Sequence, residues 1–165
     1  SAFSNGWRQV LGCDVRNYIL TRDLVDITLV PSSCKVASGT LVDPYTASTM
    51  LFLRGPDTSD DIQIDHVVAL SDAWQKGAQQ LAPVERYNFA NDPLNLLAVQ
   101  GVANQAKGDG DAATWLPPNK AYRCSYIARQ IAVKQRYALW VTRAEYSAME
   151  SVLRGCPEQK LPNDA

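Results

Sequence analysis

The stretch Asp61-Ile62-Gln63-Ile64-Asp65-His66-Val67-Val68-Ala69-Leu70 decides how the rest of the chain is read. Ile62 to Leu70 is an apolar, β-like run that carries two adjacent polar groups, Asp65 and His66. Neighbours on a strand point to opposite faces, so carboxylate and imidazole start out facing apart. A bend at the strand end is needed to aim both at one site. Downstream, Leu94 to Val99 reads as a buried strand with Asn95 near its start. Gly101 then opens a short helix through Asn104 to Lys107, which Gly108 and Gly110 interrupt. The centre is therefore β–β–α, with Asp65, His66, Asn95, Asn104, Lys107 and Asp109 distributed along it.

Outward from this centre the chain reads as α+β, a single domain over residues 1–165 with a core at about 60–112. On the N-terminal side, Asp14 to Asp26 has helical spacing in Val15, Ile19, Leu20 and Leu24. Ile27 to Val30 is a short extended segment stopped by Pro31. Lys35 to Val42 and Thr49 to Leu53 form a predicted hairpin around Asp43-Pro44-Tyr45. Gly55-Pro56 breaks the chain before the central run. On the C-terminal side, Ser71 is the expected cap of a short helix through Trp74 that ends near Gly77. Val84 to Ala90 is a helical turn broken by Asn91-Asp92-Pro93. Two long helices are expected at about 120–140 and 142–153, followed by a polar tail from Pro157. Trp74, Trp115, Tyr126 and Trp140 are expected in the core.

The 165 residues are enough for a real hydrophobic core, and 46% hydrophobic with 20% charged residues is an ordinary globular composition. No apolar run approaches the roughly 20 residues needed to span a bilayer, so no membrane partner is expected. No basic-then-apolar leader stands at Ser1; if the protein is exported, the chain is expected to be the mature form. The formal net charge of −1 gives no general attraction to nucleic acid. Its distribution says more, because Ala112 to Ala144 holds no Asp or Glu but has Lys120, Arg123, Arg129, Lys134, Arg136 and Arg143. Asp57, Asp60, Asp61 and Asp65 cluster in the opposite sense. An acidic site beside a basic segment suits a protein that holds a cation and a polyanion together. A solvated helix face balanced by an acidic loop is the plainer reading of the same charges.

Cys13, Cys34, Cys124 and Cys156 form no C-x-x-C pair, which argues against a zinc knuckle. Their even number and wide spacing fit two disulfides. Sequential pairing is the simplest of three connectivities, and each bridge would contribute about 3–4 kcal/mol by closing a loop of a few tens of residues. That points to an oxidising compartment and a secreted protein; four buried thiols are the alternative.

Phosphodiester hydrolysis needs a deprotonated water, charge stabilisation on the phosphate and help for the leaving oxygen. An imidazole with an ordinary pKa of about 6.5 can supply the first, and one divalent ion the other two. Mg²⁺ takes oxygen ligands and keeps waters, so one carboxylate and one amide make a reasonable set. With a single histidine in the chain, a multi-histidine zinc site is excluded.

The run from Ile64 to Val68, with Asn95, Asn104, Lys107 and Asp109, resembles the HNH nuclease core, a ββα-metal fold. The fuller pattern is similar to secreted bacterial proteins related to the C-terminal domain of GmrSD restriction enzymes. It comprises Asp65-His66-Val67-Val68-Ala69-Leu70 with Ala73-Trp74 and Gly77-Ala78, then Phe89 to Val99, Asn104 to Asp109 and Trp115-Leu116-Pro117-Pro118. Upstream, Cys13-Asp14-Val15-Arg16-Asn17 and Asp43-Pro44-Tyr45 look like the same group.

The resemblance implies that His66 is the general base, that Asp65 and Asn104 ligate one Mg²⁺ or Mn²⁺, and that Asn95 holds the loop that orients His66. The last position of the motif is Asn104 rather than a second histidine, which leaves one carboxylate and one amide as ligands. Arg16, Lys107, Arg129 and Lys134 are the expected phosphate contacts, with Asp14 and Asp109 supporting the site. The expected activity is endonucleolytic hydrolysis of DNA, with RNA as a second substrate, by a monomer with little sequence specificity. Two alternatives stand beside it: a non-catalytic nucleic-acid-binding module on the same scaffold, and a secreted nuclease toxin with an inhibitor partner.

Overall fold

The structure is a computed structural model that describes residues 2–3, 6–10 and 12–162; residues 163–165 of the expected polar tail lie outside the described residues. The short strands β1 (Gln9–Val10) and β2 (Cys13–Asp14) pair antiparallel and lead into α1 (Val15–Asp23). Asp14 caps α1, its carboxylate accepting the Asn17 backbone N–H at 2.8 Å. The helix ends at Asp23 rather than at the expected Asp26. The cause is tertiary: Val25–Leu29 is drawn into a strand, β3, that pairs with β4 (Val36–Val42). β5 (Thr49–Leu53) completes an antiparallel sheet of order β3-β4-β5, and its pairing with β4 closes on Val42↔Thr49. The turn between them folds on Asp43, whose carboxylate accepts from the Thr46 backbone and hydroxyl and, at 3.0 Å, from the Gln100 N–H.

β6 (Ile62–His66) pairs antiparallel with β7 (Leu96–Gln100), Asp65 opposite Leu97 and His66 opposite Leu96. Alternation sorts their side chains. Ile62, Ile64, Leu96 and Ala98 join Ile19, Leu20, Val36 and Phe52 in a core under α1 and the three-stranded sheet. Leu97 and Val99 face the other way, into a core with Tyr45, Tyr126, Ile127 and Met149. A two-stranded sheet buried on both sides explains the continuous apolar runs in its sequence. Gly101 opens α4 (Gly101–Lys107) immediately after β7. Its N–H donates to the Asp61 carbonyl at 2.8 Å, and a Cβ there would lie 2.4 Å from the Asp60 carbonyl oxygen, so the approach requires glycine. Gly108, at φ +55°, ends α4.

α2 (Leu70–Gln75) starts one residue ahead of the expected cap. Ala69 stands at its N-cap with no side-chain bond, and Ser71 lies within the first turn, its hydroxyl 3.4 Å from Asp109 Oδ2. α3 (Pro83–Ala90) starts with proline, and Glu85 Oε2 accepts the Ala82 N–H at 2.8 Å. α5 (Arg123–Arg136) is shorter than expected, stopping four residues before Trp140, and Ala138 takes φ +50°. The Trp140 N–H instead donates to the Lys76 carbonyl, and the ring stays 54% exposed, outside the core. α6 (Arg143–Leu153) is capped by Thr142. No helix among the described residues is long and apolar enough to cross a membrane.

Within the basic stretch, Lys134 does not reach an open phosphate-binding face, whereas Lys120, Arg136 and Arg143 are exposed. Lys134 is buried, bonded to Asp72 Oδ2 at 3.0 Å and Glu145 Oε1 at 2.6 Å. Lys76 joins the same network, reaching Asp72, Asp111 and Glu145 within 2.7 Å. Arg136 pairs with Asp92, and the Arg123 guanidinium donates to the Pro117 carbonyl.

Cys13 bonds Cys34 and Cys124 bonds Cys156, the sequential pairing. The bridges close loops of 21 and 32 residues. The second ties the start of α5 to the end of α6, so the Cys124→Ser, Cys156→Ser double variant should lose about 3–4 kcal/mol in urea denaturation. A loss under about 1 kcal/mol would mean the reduced chain keeps α5 and α6 together unaided.

Candidate active site

Where β6 ends, the chain turns from strand to the segment Val67–Ala69, and Asn95 fixes that turn. Fully buried, Asn95 accepts the Val68 N–H on its Oδ1 at 2.8 Å and donates from Nδ2 to the Val68 carbonyl at 3.2 Å. Its own carbonyl accepts the Val67 N–H at 2.8 Å. The residues after His66 are thereby clamped to the start of β7, and a cleft of about 300 Å³ opens, lined by Asp65, His66, Ser71, Asn104, Gly108 and Asp109.

His66 has one ring nitrogen engaged. Its Nε2 lies 2.9 Å from the Ala90 carbonyl, which only accepts, so Nε2 carries the proton and Nδ1 keeps a lone pair. The ring lies parallel to the Trp7 indole, centroids 5.9 Å apart and planes 11° apart. Its pKa is lowered from the ordinary 6.5, chiefly because burial disfavours the imidazolium, with the Lys107 charge adding to this; the Ala90 bond and Asp65 oppose it. The neutral, basic form therefore predominates at neutral pH.

Asp65 points to the opposite face, as the pleat dictates, and is 4% exposed. Lys107 Nζ donates to its Oδ1 at 2.8 Å, and the Tyr45 hydroxyl donates to its Oδ2. Lys107 also donates to the His66 carbonyl at 2.8 Å, and its side chain is wholly buried. It is thus an internal cation rather than a surface contact for phosphate. Tyr45 has its pKa raised well above 10 by burial and by the Asp65 charge, so it remains a hydroxyl donor. Asn104 donates from Nδ2 to Gln63 Oε1 at 2.9 Å, which leaves Oδ1 as its remaining oxygen. Asp109 is exposed, beside Ser71.

Other candidate residues lie elsewhere. Asp14 is engaged as the α1 cap. Arg16 donates to the Ser59 and Ile62 carbonyls at 2.9 and 3.2 Å, pinning the loop before β6. Its pKa is lowered first by burial and then by Arg54. Arg129 has one long contact, 3.4 Å to the carbonyl of Leu96, the register partner of His66. Sequence reasoning missed Tyr45 as the partner of Asp65, and Trp7 altogether. Neither carries a local signal, because both reach the site through tertiary packing.

This geometry coincides with a family assignment. The model of the family described as GmrSD restriction endonucleases, C-terminal domain, matches residues 14–152. The chain belongs to that family. It is also similar to an "Uncharacterized secreted protein" of Arthroderma benhamiae (strain ATCC MYA-4681 / CBS 112371), 40% identical over 153 residues. That alignment spans 91% of this chain and 72% of the relative. Family membership gives the chain a nuclease-like function, with nucleic acid as its class of substrate.

Removing the internal cation tests the electrostatics directly. Lys107→Met leaves the Asp65 carboxylate buried without its counter-charge and should cost about 3–5 kcal/mol in urea denaturation. The Asp65→Asn, Lys107→Met double variant should recover much of that loss. A Lys107→Met protein as stable as the wild type would mean the pair is not held as described.

Proposed function

We propose that the protein is a metal-dependent endonuclease of the HNH type, built on a ββα-metal core of β6, β7 and α4, that hydrolyses phosphodiester bonds of DNA, with RNA as a second substrate. The observation that carries this reading is the sole histidine, held in one tautomer with a basic Nδ1, beside oxygen donors in one cleft. His66 Nδ1 accepts the proton of a water molecule as that water attacks phosphorus. Asn95 acts as the positioning group, by fixing the turn that carries His66.

The donor set fits a hard, hydrated cation better than zinc. Among the described residues no group of three or more His, Cys, Asp or Glu converges, and the side chains that line the cleft offer oxygen. Asp65, each of whose oxygens keeps a second lone pair, and Asn104 Oδ1 would hold one Mg²⁺ or Mn²⁺, with Asp109 supporting it and water filling the remaining positions. When bound, such an ion supplies charge stabilisation to the phosphate and to the leaving oxygen. Of Arg16, Lys107, Arg129 and Lys134, Arg129, beside the Leu96 carbonyl, is the remaining candidate for a phosphate contact. Two disulfides and the printed name of the relative support action outside the cell.

The test is nicking of supercoiled plasmid, and of an RNA run alongside, with Mg²⁺ or Mn²⁺. Wild-type cleavage should vanish with EDTA and fall by roughly 10²–10⁴-fold in His66→Ala. Cleavage that survives in His66→Ala would move the active site elsewhere, and no cleavage of either substrate would favour the binding-module reading.

The pH profile gives an independent check. Burial disfavours the charged imidazolium, so activity requires pH above a lowered His66 pKa. The acid limb of kcat/KM should be centred below pH 6.5. A limb centred above 6.5 would contradict a buried histidine as the base.

A further inference from the structure

The His66 imidazole is held from two directions. In its plane, Nε2–H donates to the Ala90 carbonyl at 2.9 Å. Against its face lies the Trp7 indole, parallel to within 11° at a centroid distance of 5.9 Å. A single bond to a carbonyl leaves the ring free to rock about the N–H···O axis, and a parallel aromatic face removes that freedom. We infer that Trp7 is a positioning residue of the active site, holding the imidazole plane so that the Nδ1 lone pair keeps one direction. This rests on the proposed reading of His66 as the base.

Trp7 is itself held by the helix end that supplies the carbonyl. The Arg8 N–H donates to Asn91 Oδ1 at 2.8 Å, and the Arg8 guanidinium to Asn88 Oδ1 at 2.5 Å. Both asparagines flank Ala90 at the end of α3. On the other side, the Arg8 carbonyl accepts the Val15 N–H at the start of α1. Farther up, Phe3 packs against Phe89 and Trp74 with centroids 5.6 and 6.1 Å away. The segment bearing Trp7 is therefore strapped to the elements that fix His66. Trp7 also lies upstream of residues 14–152, so the family match does not extend to it.

Because His66 is the only histidine, its ring signals in NMR are assigned without ambiguity. The full chain is compared as wild type, Trp7→Phe and Trp7→Leu at about pH 8, where the ring is neutral. In the wild type the imidazole protons should be shifted upfield by the indole, and long-range proton–nitrogen correlations should show Nε2 protonated and Nδ1 bare. Trp7→Leu should move those protons downfield and increase ring mobility in nitrogen relaxation while Nε2 stays protonated on the Ala90 carbonyl, and Trp7→Phe should keep the ring rigid. With plasmid substrate and Mg²⁺, kcat of Trp7→Leu should fall by roughly 10- to 100-fold with KM little changed. Trp7→Phe should recover most of that loss, and circular dichroism should show both variants folded.

Unchanged ring signals in Trp7→Leu, or an unchanged kcat, would overturn the inference. So would a rise in KM alone, which would make Trp7 a platform for substrate. A wild type that cleaves nothing would sink the endonuclease reading, whereas the ring signals would still decide whether Trp7 orients His66. Should Trp7→Leu fail to fold, Trp7→Met takes its place, with an unchanged kcat and ring mobility as the overturning result.

Discussion

Burying a carboxylate to 4% exposure is costly unless a counter-charge and hydrogen bonds meet it, and the arrangement of the site follows from that constraint at Asp65. The pleat of β6 turns most of Asp65 into the interior, although it still reaches the wall of the cleft that His66 lines. Neutralising it there takes Lys107 from α4 and a hydroxyl from Tyr45, which sits in the turn of the β4–β5 hairpin. Each partner fixes an element. Lys107 fixes the end of α4 against β6 and, through the His66 carbonyl, the backbone of the histidine itself. Tyr45 fixes the hairpin, whose turn is held again by Asp43 on the Gln100 N–H and by the Asn119 N–H on the Tyr45 carbonyl. Three parts of the chain far apart in sequence thus meet on one carboxylate.

A second buried network supports the loop that follows α4. Lys76 meets the carboxylates of Asp72, Asp111 and Glu145, and Lys134 shares those of Asp72 and Glu145, groups drawn from α2, α5, α6 and the segment after Gly108. Burial alone would lower the Lys76 pKa, but the hydrogen bonds it donates to Asp111, Asp72 and Glu145 outweigh it, and the value is raised. Lys76 pulls the Asp111 pKa down in return, against the opposing effect of burial. Such networks can be replaced by apolar residues without loss of stability, so their use is better sought in position than in energy. Anchoring Asp111 fixes the short loop whose other end carries Asp109 into the cleft.

The hairpin, the central strand, the Gly101 helix start and the sequential disulfides were legible because each is set by local periodicity, turn chemistry or spacing. Element ends were not. α1 stops at Asp23 because Val25–Leu29 pairs with β4, and α5 stops at Arg136 because the following residues reach back to Lys76. Charge was legible as composition and misleading as geometry, since Lys134 and Lys107 face inward to carboxylates more than 40 positions away in sequence. The motif singled out Asp65, His66, Asn104 and Asp109, which line one cleft. Their partners, Tyr45 on Asp65 and the Ala90 carbonyl on His66, could not be named from the sequence, because nothing in the spacing of a motif specifies what packs over it.

The same ion pair bears on how the proposed metal would be held. Two cations compete when they face one carboxylate, and Lys107 already occupies Asp65 Oδ1 from within the core. Asp65 therefore offers a divalent ion little uncompensated charge, and more of the binding must come from Asn104, an uncharged amide, and from the exposed Asp109. Hard cations bound by few charged ligands keep much of their water and are held weakly. On this reading the protein would take its metal from the medium and release it readily. The buried lysine would meanwhile keep the carboxylate and the histidine backbone in place when the ion is gone, so that the site does not have to refold around each ion it binds.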